Sequence, residues 1–183
     1  MLHRALTDPP FRPLPYEAAA LLVELDAPPR LAAHLRAVHD VAVELTDWLG
    51  GDRDLILFGA ATHDIGKVVH PEELSAPGTR HEAAGHRLLL ARGVEERKAR
   101  FAGTHGDWHR PGIEFEDLVV SLADKIWKAK RVPDLEQLIV DRLAAAHAQE
   151  PWQAFMGLDD HLDRIAAGAD ARLAFQNTYP VAA

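Results

Sequence analysis

Residues 59–70, GAATHDIGKVVH, place two ionisable side chains where an apolar helix should continue. The preceding residues are apolar, and His63 and Asp64 then stand side by side at positions expected to be buried. Burying such a pair costs several kcal/mol unless each group finds a partner. The chemistry of this segment therefore depends on which partner makes the placement favourable.

Other helical segments each bring one imidazole or carboxylate to the edge of an apolar face. At about 100° per residue, His34 lies on one shoulder of such a face, although the spacing does not separate it fully from His39 on the opposite shoulder. Asp124 borders an apolar face further along, His81 falls in a first helical turn, and His105 lies at a helix end. A metal cation is the single partner that would satisfy these groups together.

Each of these residues also has a purely structural interpretation. A lone histidine beside an apolar helix face is more often a satisfied core residue than a ligand, and Asp64 could cap a helix or pair with an arginine. Lys67, one turn beyond the His-Asp pair, could extend its stem into water, and residues 125–131 could form a solvated basic face. These interpretations weaken as the set grows, because each buried polar group then needs its own partner.

The composition restricts the class of function. A chain of 183 residues fits one domain with a sizeable core, and the absence of cysteine excludes disulfides, thiolate metal sites and a cysteine nucleophile. The formal net charge of -8 argues against extended nucleic-acid binding but permits a small phosphorylated partner. With no apolar signal core and no long apolar stretch, we expect a cytoplasmic protein without a membrane partner.

Helical periodicity runs through most of the chain, and the alternation typical of a half-buried strand is missing. Thr79 and Glu82 fit a capping box, and Gly168 marks a break in the last helix. The sequence therefore predicts one all-α domain over residues 1–183, a helical bundle with short connections. The predicted helices are residues 13–25, 29–48, 54–69, 79–93, 94–105, 116–131, 134–149 and 151–176.

The ordered set His34, His63-Asp64 and Asp124 resembles the defining signature of the HD-domain metal-dependent phosphohydrolase superfamily. The segment HLRAVHDVAVEL is similar to the helix with the first histidine of that family. GAATHDIGKVV is similar to its His-Asp helix, down to the HDIGK form, and SLADKIWKAKR to the helix with the last aspartate. The resemblance covers roughly residues 30–131. The predicted C-terminal helices at 134–177 lie outside it.

This resemblance implies an HD-domain-like helical bundle in which His34, His63, Asp64 and Asp124 hold one divalent metal. Imidazole and carboxylate ligands without thiolate suit Mn, Fe, Co, Ni, Zn or Mg. Such an ion lowers the pKa of a bound water and polarises a phosphoryl group.

Two further histidines bear on the number of ions. The segments HEAAGHRLLLARGV, with His81, and ARFAGTHGDWH, with His105, resemble those of members with a two-metal site, which implies a bridging Asp64. Two ions about 3.5–4 Å apart clamp the attacking and leaving oxygens of a displacement. The chain departs from the cyclic-dinucleotide phosphodiesterase branch because Gly106 follows His105 and no Gly-Tyr-Pro triplet follows, although His109 could stand in as a late ligand. One-ion and two-ion sites both stay open.

The expected reaction is hydrolysis of a phosphate ester on a small molecule, with a nucleotide as the expected substrate. A metal-activated water attacks phosphorus, with Asp64 and Lys67 as the catalytic residues and Lys67 neutralising charge on the phosphate. Further candidates for substrate binding are Lys125, Arg131 and His109, and Glu72 or Glu73 is a candidate for proton transfer.

Two other classes of function stay open. Di-iron oxygenases such as myo-inositol oxygenase resemble this helical frame, and degenerate relatives that have lost ligands serve as non-catalytic binding modules. We expect residues 71–79 and 106–115, together with the C-terminal helices, to set specificity, and apolar surface residues on the last helices would permit a homodimer. The aromatic candidates for base stacking are Trp108, Phe115, Trp127, Trp152 and Phe155, with a core position expected for the last three.

Overall fold

The computed structural model describes residues 1–181, and no β-strand is present in that range. The prediction of an all-α fold is therefore confirmed. No helix within these residues is long and apolar enough to cross a lipid bilayer. The helices are α1 (Leu2–Thr7), α2 (Tyr16–Glu24), α3 (Pro29–Leu49), α4 (Arg53–Thr62), α5 (Arg80–Ala91), α6 (Glu96–Ala99), α7 (Phe101–Thr104), α8 (Phe115–Ile126), α9 (Pro133–His147), α10 (Pro151–Ala166) and α11 (Ala169–Asn177), with 3-10 turns at Ile65–Val68 and Pro71–Leu74.

Helix α3 is the central element of the bundle, and it packs against α4, α8, α1 and α11. Proline stands in its first turn, where the missing N–H costs nothing, and Gly50 ends it with a φ of 77°. Most of its side chains are buried, and Val41 and Leu45 are fully buried in a core cluster that also contains side chains of α4 and α8. This burial fixes the rotation of α3 about its own axis and therefore the direction in which each polar side chain on it points.

The predicted helix over residues 54–69 is wrong in its second half. Helix α4 ends at Thr62, and a tighter 3-10 turn follows at Ile65–Val68. The turn brings the backbone of Gly66 against α5, so closely that an added Cβ would lie 2.0 Å from the carbonyl oxygen of His81. The HDIGK segment is therefore a turn that locks α4 to α5, and the apolar composition alone gave no sign of it.

The capping box predicted at Thr79 and Glu82 is also wrong. The Thr79 side chain makes no capping hydrogen bond. Instead, the carboxylate of Glu73 accepts hydrogen bonds from the backbone N–H groups of Arg80 and His81, each at 3.1 Å. A distant carboxylate thus takes the place of the local cap at the start of α5.

Other differences concern helix ends and one surface. Helix α1 was not predicted from the sequence, and the helix predicted to reach residue 131 ends at Ile126, shortly before Ala129 adopts a φ of 60°. Trp127 is buried as expected, but the core positions expected for Trp152 and Phe155 are wrong, since they are 65% and 46% exposed. Helix α10 buries its opposite face, which carries Ala154, Leu158, Leu162 and Ile165.

Replacing Gly66 by alanine tests the contact between the turn and α5. The new methyl carbon would lie 2.0 Å from the carbonyl oxygen of His81 and 2.5 Å from the nitrogen of Gly85. Because both atoms belong to the backbone, we expect Gly66→Ala to lower the free energy of unfolding by about 3 kcal/mol. Urea denaturation followed by circular dichroism measures the change.

Gly103→Ala is the matched control, since its nearest neighbour is the Cβ of His86 at an ordinary 3.7 Å. Gly103 lies within α7, where alanine is the better helix former, so we expect a gain of up to about 1 kcal/mol. A Gly66→Ala protein as stable as the wild type would contradict the close packing of the turn.

Candidate metal centre

Six polar side chains predicted as metal ligands lie together in the interior. His34 comes from α3, His63 and Asp64 follow α4, and His81 lies in the first turn of α5. His105 directly follows α7, and Asp124 is on α8. None of the six is more than 9% exposed. Five separate segments thus bring their polar groups to one buried point.

The six residues form two groups of three. We call His34, His63 and Asp124 the first triad, and Asp64, His81 and His105 the second triad. In each triad, one ligand atom from each residue lies within 4.8 Å of the other two, which is a spacing that a single ion can bridge. The resemblance noted in the sequence left open whether Asp64 joins His34, His63 and Asp124 at one ion or bridges two, and its geometry relates it to both triads.

Asp64 stands between the two triads and presents one oxygen to each. Its Oδ1 lies 2.9 Å from Nε2 of His81 and 3.5 Å from Nε2 of His105. Its Oδ2 lies 3.1 Å from Nε2 of His34 and 3.8 Å from Nε2 of His63. A carboxylate in this position can serve as a ligand to two ions at once.

Each of the four imidazoles is held from behind through Nδ1. The acceptors are the side-chain oxygen of Gln176 for His34 at 3.1 Å, the carbonyl of Ala60 for His63 at 2.9 Å, the carboxylate of Glu73 for His81 at 2.6 Å and the carbonyl of Phe101 for His105 at 3.1 Å. Because these groups accept hydrogen bonds, Nδ1 carries the proton and Nε2 faces the centre. This is the orientation that metal-ligating histidines adopt.

The Nε2 atoms of His34 and His63 are buried and make no hydrogen bond within the described residues. Buried polar atoms almost always have a partner, so these two nitrogens mark a place where one is needed. A divalent cation fits them, since neutral imidazole and carboxylate are suitable ligands for such ions.

The two aspartates at the centre are ionised. Burial acts to raise the pKa of Asp64, but the neighbouring His63 and the contacts with the other imidazoles hold it well below its usual range. Burial acts in the same direction on Asp124, and contacts with His63 and the nearby Lys125 outweigh it, so that the pKa of Asp124 is also lowered. The centre therefore offers two negative charges to a cation.

Each of these carboxylates also forms an ion pair with a lysine. The ammonium nitrogen of Lys67 lies 2.5 Å from Oδ2 of Asp64, and that of Lys125 lies 2.6 Å from Oδ2 of Asp124. Burial acts to lower the pKa of His81, but its contacts with Asp64 and Glu73 raise it above its usual value. A proton on His81 and a cation beside it therefore compete for the same place.

Three other candidate residues make their contacts elsewhere. Arg131 is bound by three carboxylates, those of Glu136, Asp159 and Asp163. His109 is largely exposed and lies 3.0 Å from Asp134, and Glu72 is exposed near His70 and Arg80. None of these contacts involves either triad.

The sequence did not reveal that two residues, Glu73 and Gln176, accept hydrogen bonds from the imidazoles. Glu73 was considered only for proton transfer, but it binds His81 and caps α5. Gln176 lies on α11, 142 residues after the histidine that it contacts, and no spacing rule relates the two. The pairing with His34 exists because α11 packs against α3.

Replacing Gln176 by leucine tests whether the orientation of His34 serves cation binding. Loss of the acceptor behind a ligating histidine typically weakens metal binding by about 10–100-fold, and we expect a loss in that range for Mn²⁺. Isothermal titration of the metal-free protein measures it. Gln176→Glu retains an oxygen acceptor and should restore the affinity.

Gln137→Leu is the control, because this glutamine is exposed on α9 and its side chain contacts only Asp141. We expect no change there. Wild-type affinity in the Gln176→Leu protein would contradict a role for Gln176 in cation binding.

Comparison with known proteins assigns the chain to a family. A family model for the HD domain matches residues 31–172, so the match continues well beyond residue 131, where the similarity noted in the sequence ends. No curated protein matches the chain, and no solved structure does. The matched range includes all six residues of the two triads. The chain belongs to the HD-domain family.

Proposed function

We propose that this protein is a metal-dependent phosphohydrolase acting on a small phosphorylated molecule, with a nucleotide as the expected substrate. The main support is the position of Asp64, with one oxygen toward each triad and Lys67 bound to Oδ2. Membership of the HD-domain family points to the same hydrolytic class.

The proposed ligands are the six residues of the two triads, and two ions satisfy them better than one. A single ion at the first triad would use His34, His63, Asp124 and one oxygen of Asp64, and would leave Nε2 of His81 and His105 facing an uncompensated carboxylate oxygen. When bound, divalent cations supply an activated water and Lewis acidity toward a phosphoryl oxygen. The buried walls around the triads limit access of other water.

Lys67 and Lys125 are the proposed phosphate-binding residues. Each side chain is 18% exposed, so each ammonium group lies at the boundary between the buried centre and solvent. Each is also flexible enough to exchange its contact with an aspartate for a phosphate oxygen. Lys67 would then neutralise the charge that develops on the phosphoryl group.

The contacts of Arg131 favour a role other than substrate binding. The guanidinium group of Arg131 is already neutralised, and hydrogen bonding to Glu136 raises its pKa despite partial burial. Releasing it for a phosphate would break contacts with three carboxylates. We therefore assign Arg131 to the link between α8, α9 and α10 rather than to substrate.

Two other classes make different experimental predictions. A di-iron oxygenase would bind iron after aerobic purification, absorb visible light and consume O₂ with its substrate. A non-catalytic HD-type module would show a ligand-dependent rise in melting temperature without turnover. The two lysines bound to the aspartates favour phosphate chemistry over both, because they add positive charge beside the proposed cations.

Replacing Lys67 by methionine tests the proposed chemistry. The change keeps the length of the side chain but removes its charge, so we expect kcat on a phosphate ester to fall by about 10²–10³-fold, as for loss of one transition-state donor. The substrate comes from a panel of nucleotides and sugar phosphates assayed with defined divalent metals. Release of inorganic phosphate is the readout.

Lys130→Met is the matched control, because Lys130 is exposed beyond the end of α8 and its side chain makes no contact with the triads in the described structure. Its activity should equal that of the wild type. No phosphate release from any panel member with any metal would contradict the proposed function. Full turnover by Lys67→Met would contradict the role of Lys67 in it.

A further inference from the structure

A cleft of about 290 Å³ lies beside the loop that connects α7 to α8. One wall is the indole ring of Trp108, and the apolar floor comes from Leu118 on α8 and Leu138 on α9. The guanidinium-bearing side chains of Arg110 and Arg142 also line it. A cleft that combines an aromatic ring and apolar side chains with a few polar groups is typical of a small-molecule site.

The cleft and the metal centre are connected through Lys125. Its ammonium nitrogen lies 5.8 Å from the centroid of the Trp108 ring and 2.6 Å from Oδ2 of Asp124. Leu118 and Lys125 are seven residues apart on α8, which places them on the same face of that helix. A molecule held at the centre could therefore extend along this face into the cleft.

The aromatic wall is fixed before any ligand arrives. The indole N–H of Trp108 donates a hydrogen bond to Oδ2 of Asp134 at 2.9 Å, and Nε2 of His109 lies 3.0 Å from the same oxygen. Trp108 also packs against the main hydrophobic core. A ring held in this way loses little freedom on binding a flat partner.

The two arginines of the cleft differ from most arginines of this acidic chain. Within residues 1–181, the side chains of Arg110, Arg142 and Arg87 contact no carboxylate or carbonyl, whereas the other arginines do so. Two of these three line the same cleft. Because a guanidinium group has donors and no acceptor, these two would bind a partner that presents acceptor atoms.

We propose that this cleft takes the base of a nucleotide whose phosphate lies at the two triads, with a preference for a carbonyl-bearing base such as guanine over adenine. The inference rests on the proposed function and narrows its substrate class. Trp108 stacks on the base, since every base offers a flat π-face. Arg110 and Arg142 select the base, because guanine presents two acceptors, O6 and N7, where adenine presents one acceptor and an amino donor.

Binding without turnover provides the first test. Guanosine 5′-monophosphate and adenosine 5′-monophosphate are titrated into the protein in the presence of a divalent cation that supports no phosphate release, and affinity is measured by calorimetry. We expect tighter binding of the guanine nucleotide, and a loss of at least about fivefold in Trp108→Ala, the lower end for loss of base stacking. Trp108→Phe should retain most of the affinity, and Trp152→Ala, on the exposed face of α10, is the matched control.

Turnover provides the second test. The ratio of kcat/KM for guanosine 5′-monophosphate to that for glycerol 2-phosphate, which has no base, should fall at least about fivefold in Trp108→Ala. Arg142→Met should lower the same ratio, whereas Arg87→Met should not. An equal loss for both substrates in Arg142→Met would show that this arginine binds phosphate and would overturn the assignment of the base.

The two proposals fail in different ways. Guanine-nucleotide binding that is undetectable in the wild type, or unaffected by Trp108→Ala, overturns the base cleft even if the protein hydrolyses other phosphate esters. Binding that depends on Trp108 without any phosphate release supports the cleft and overturns the proposed hydrolytic function.

Discussion

The structure depends on one constraint at its centre, namely that four imidazoles direct Nε2 toward the oxygens of two buried aspartates. Each Nδ1 is occupied by an acceptor behind it, so each Nε2 presents a lone pair at contact distance from Asp64 or Asp124. Lone pairs of nitrogen and carboxylate oxygen repel each other unless a positive charge lies between them. A divalent cation supplies that charge in the proposed active form.

The surrounding fold meets this constraint with contacts that also hold the helices together. Glu73 caps α5 and at the same time orients His81, so the start of the helix and the direction of the imidazole have one cause. The close approach of Gly66 to the backbone of α5 brings Asp64 within reach of that imidazole. Gln176 ties α11 to His34 on α3. Stability and ligand geometry are therefore coupled, and a change at these contacts should affect both.

The sequence predicted most helices because their apolar periodicity and their proline and glycine boundaries are local properties. It also predicted the six clustered histidines and aspartates, since polar residues at the edges of buried faces need partners. It could not predict the 3-10 turn after Thr62, because the cause is a backbone contact with a segment 15 residues away. The roles of Glu73 and Gln176 were inaccessible for the same reason: each depends on tertiary packing, and glutamate and glutamine on helices or loops are ordinarily solvated.

Anomalous diffraction from crystals grown with Mn²⁺ or Fe²⁺ would show whether each triad holds a cation. We expect two peaks, one among His34, His63 and Asp124 and one between His81 and His105, with Asp64 contacting both. A single peak at the first triad would leave the HD-domain site but remove the bridging role of Asp64. No peak at either triad in a well-ordered, metal-soaked crystal would contradict the claim that these buried groups converge to bind a cation.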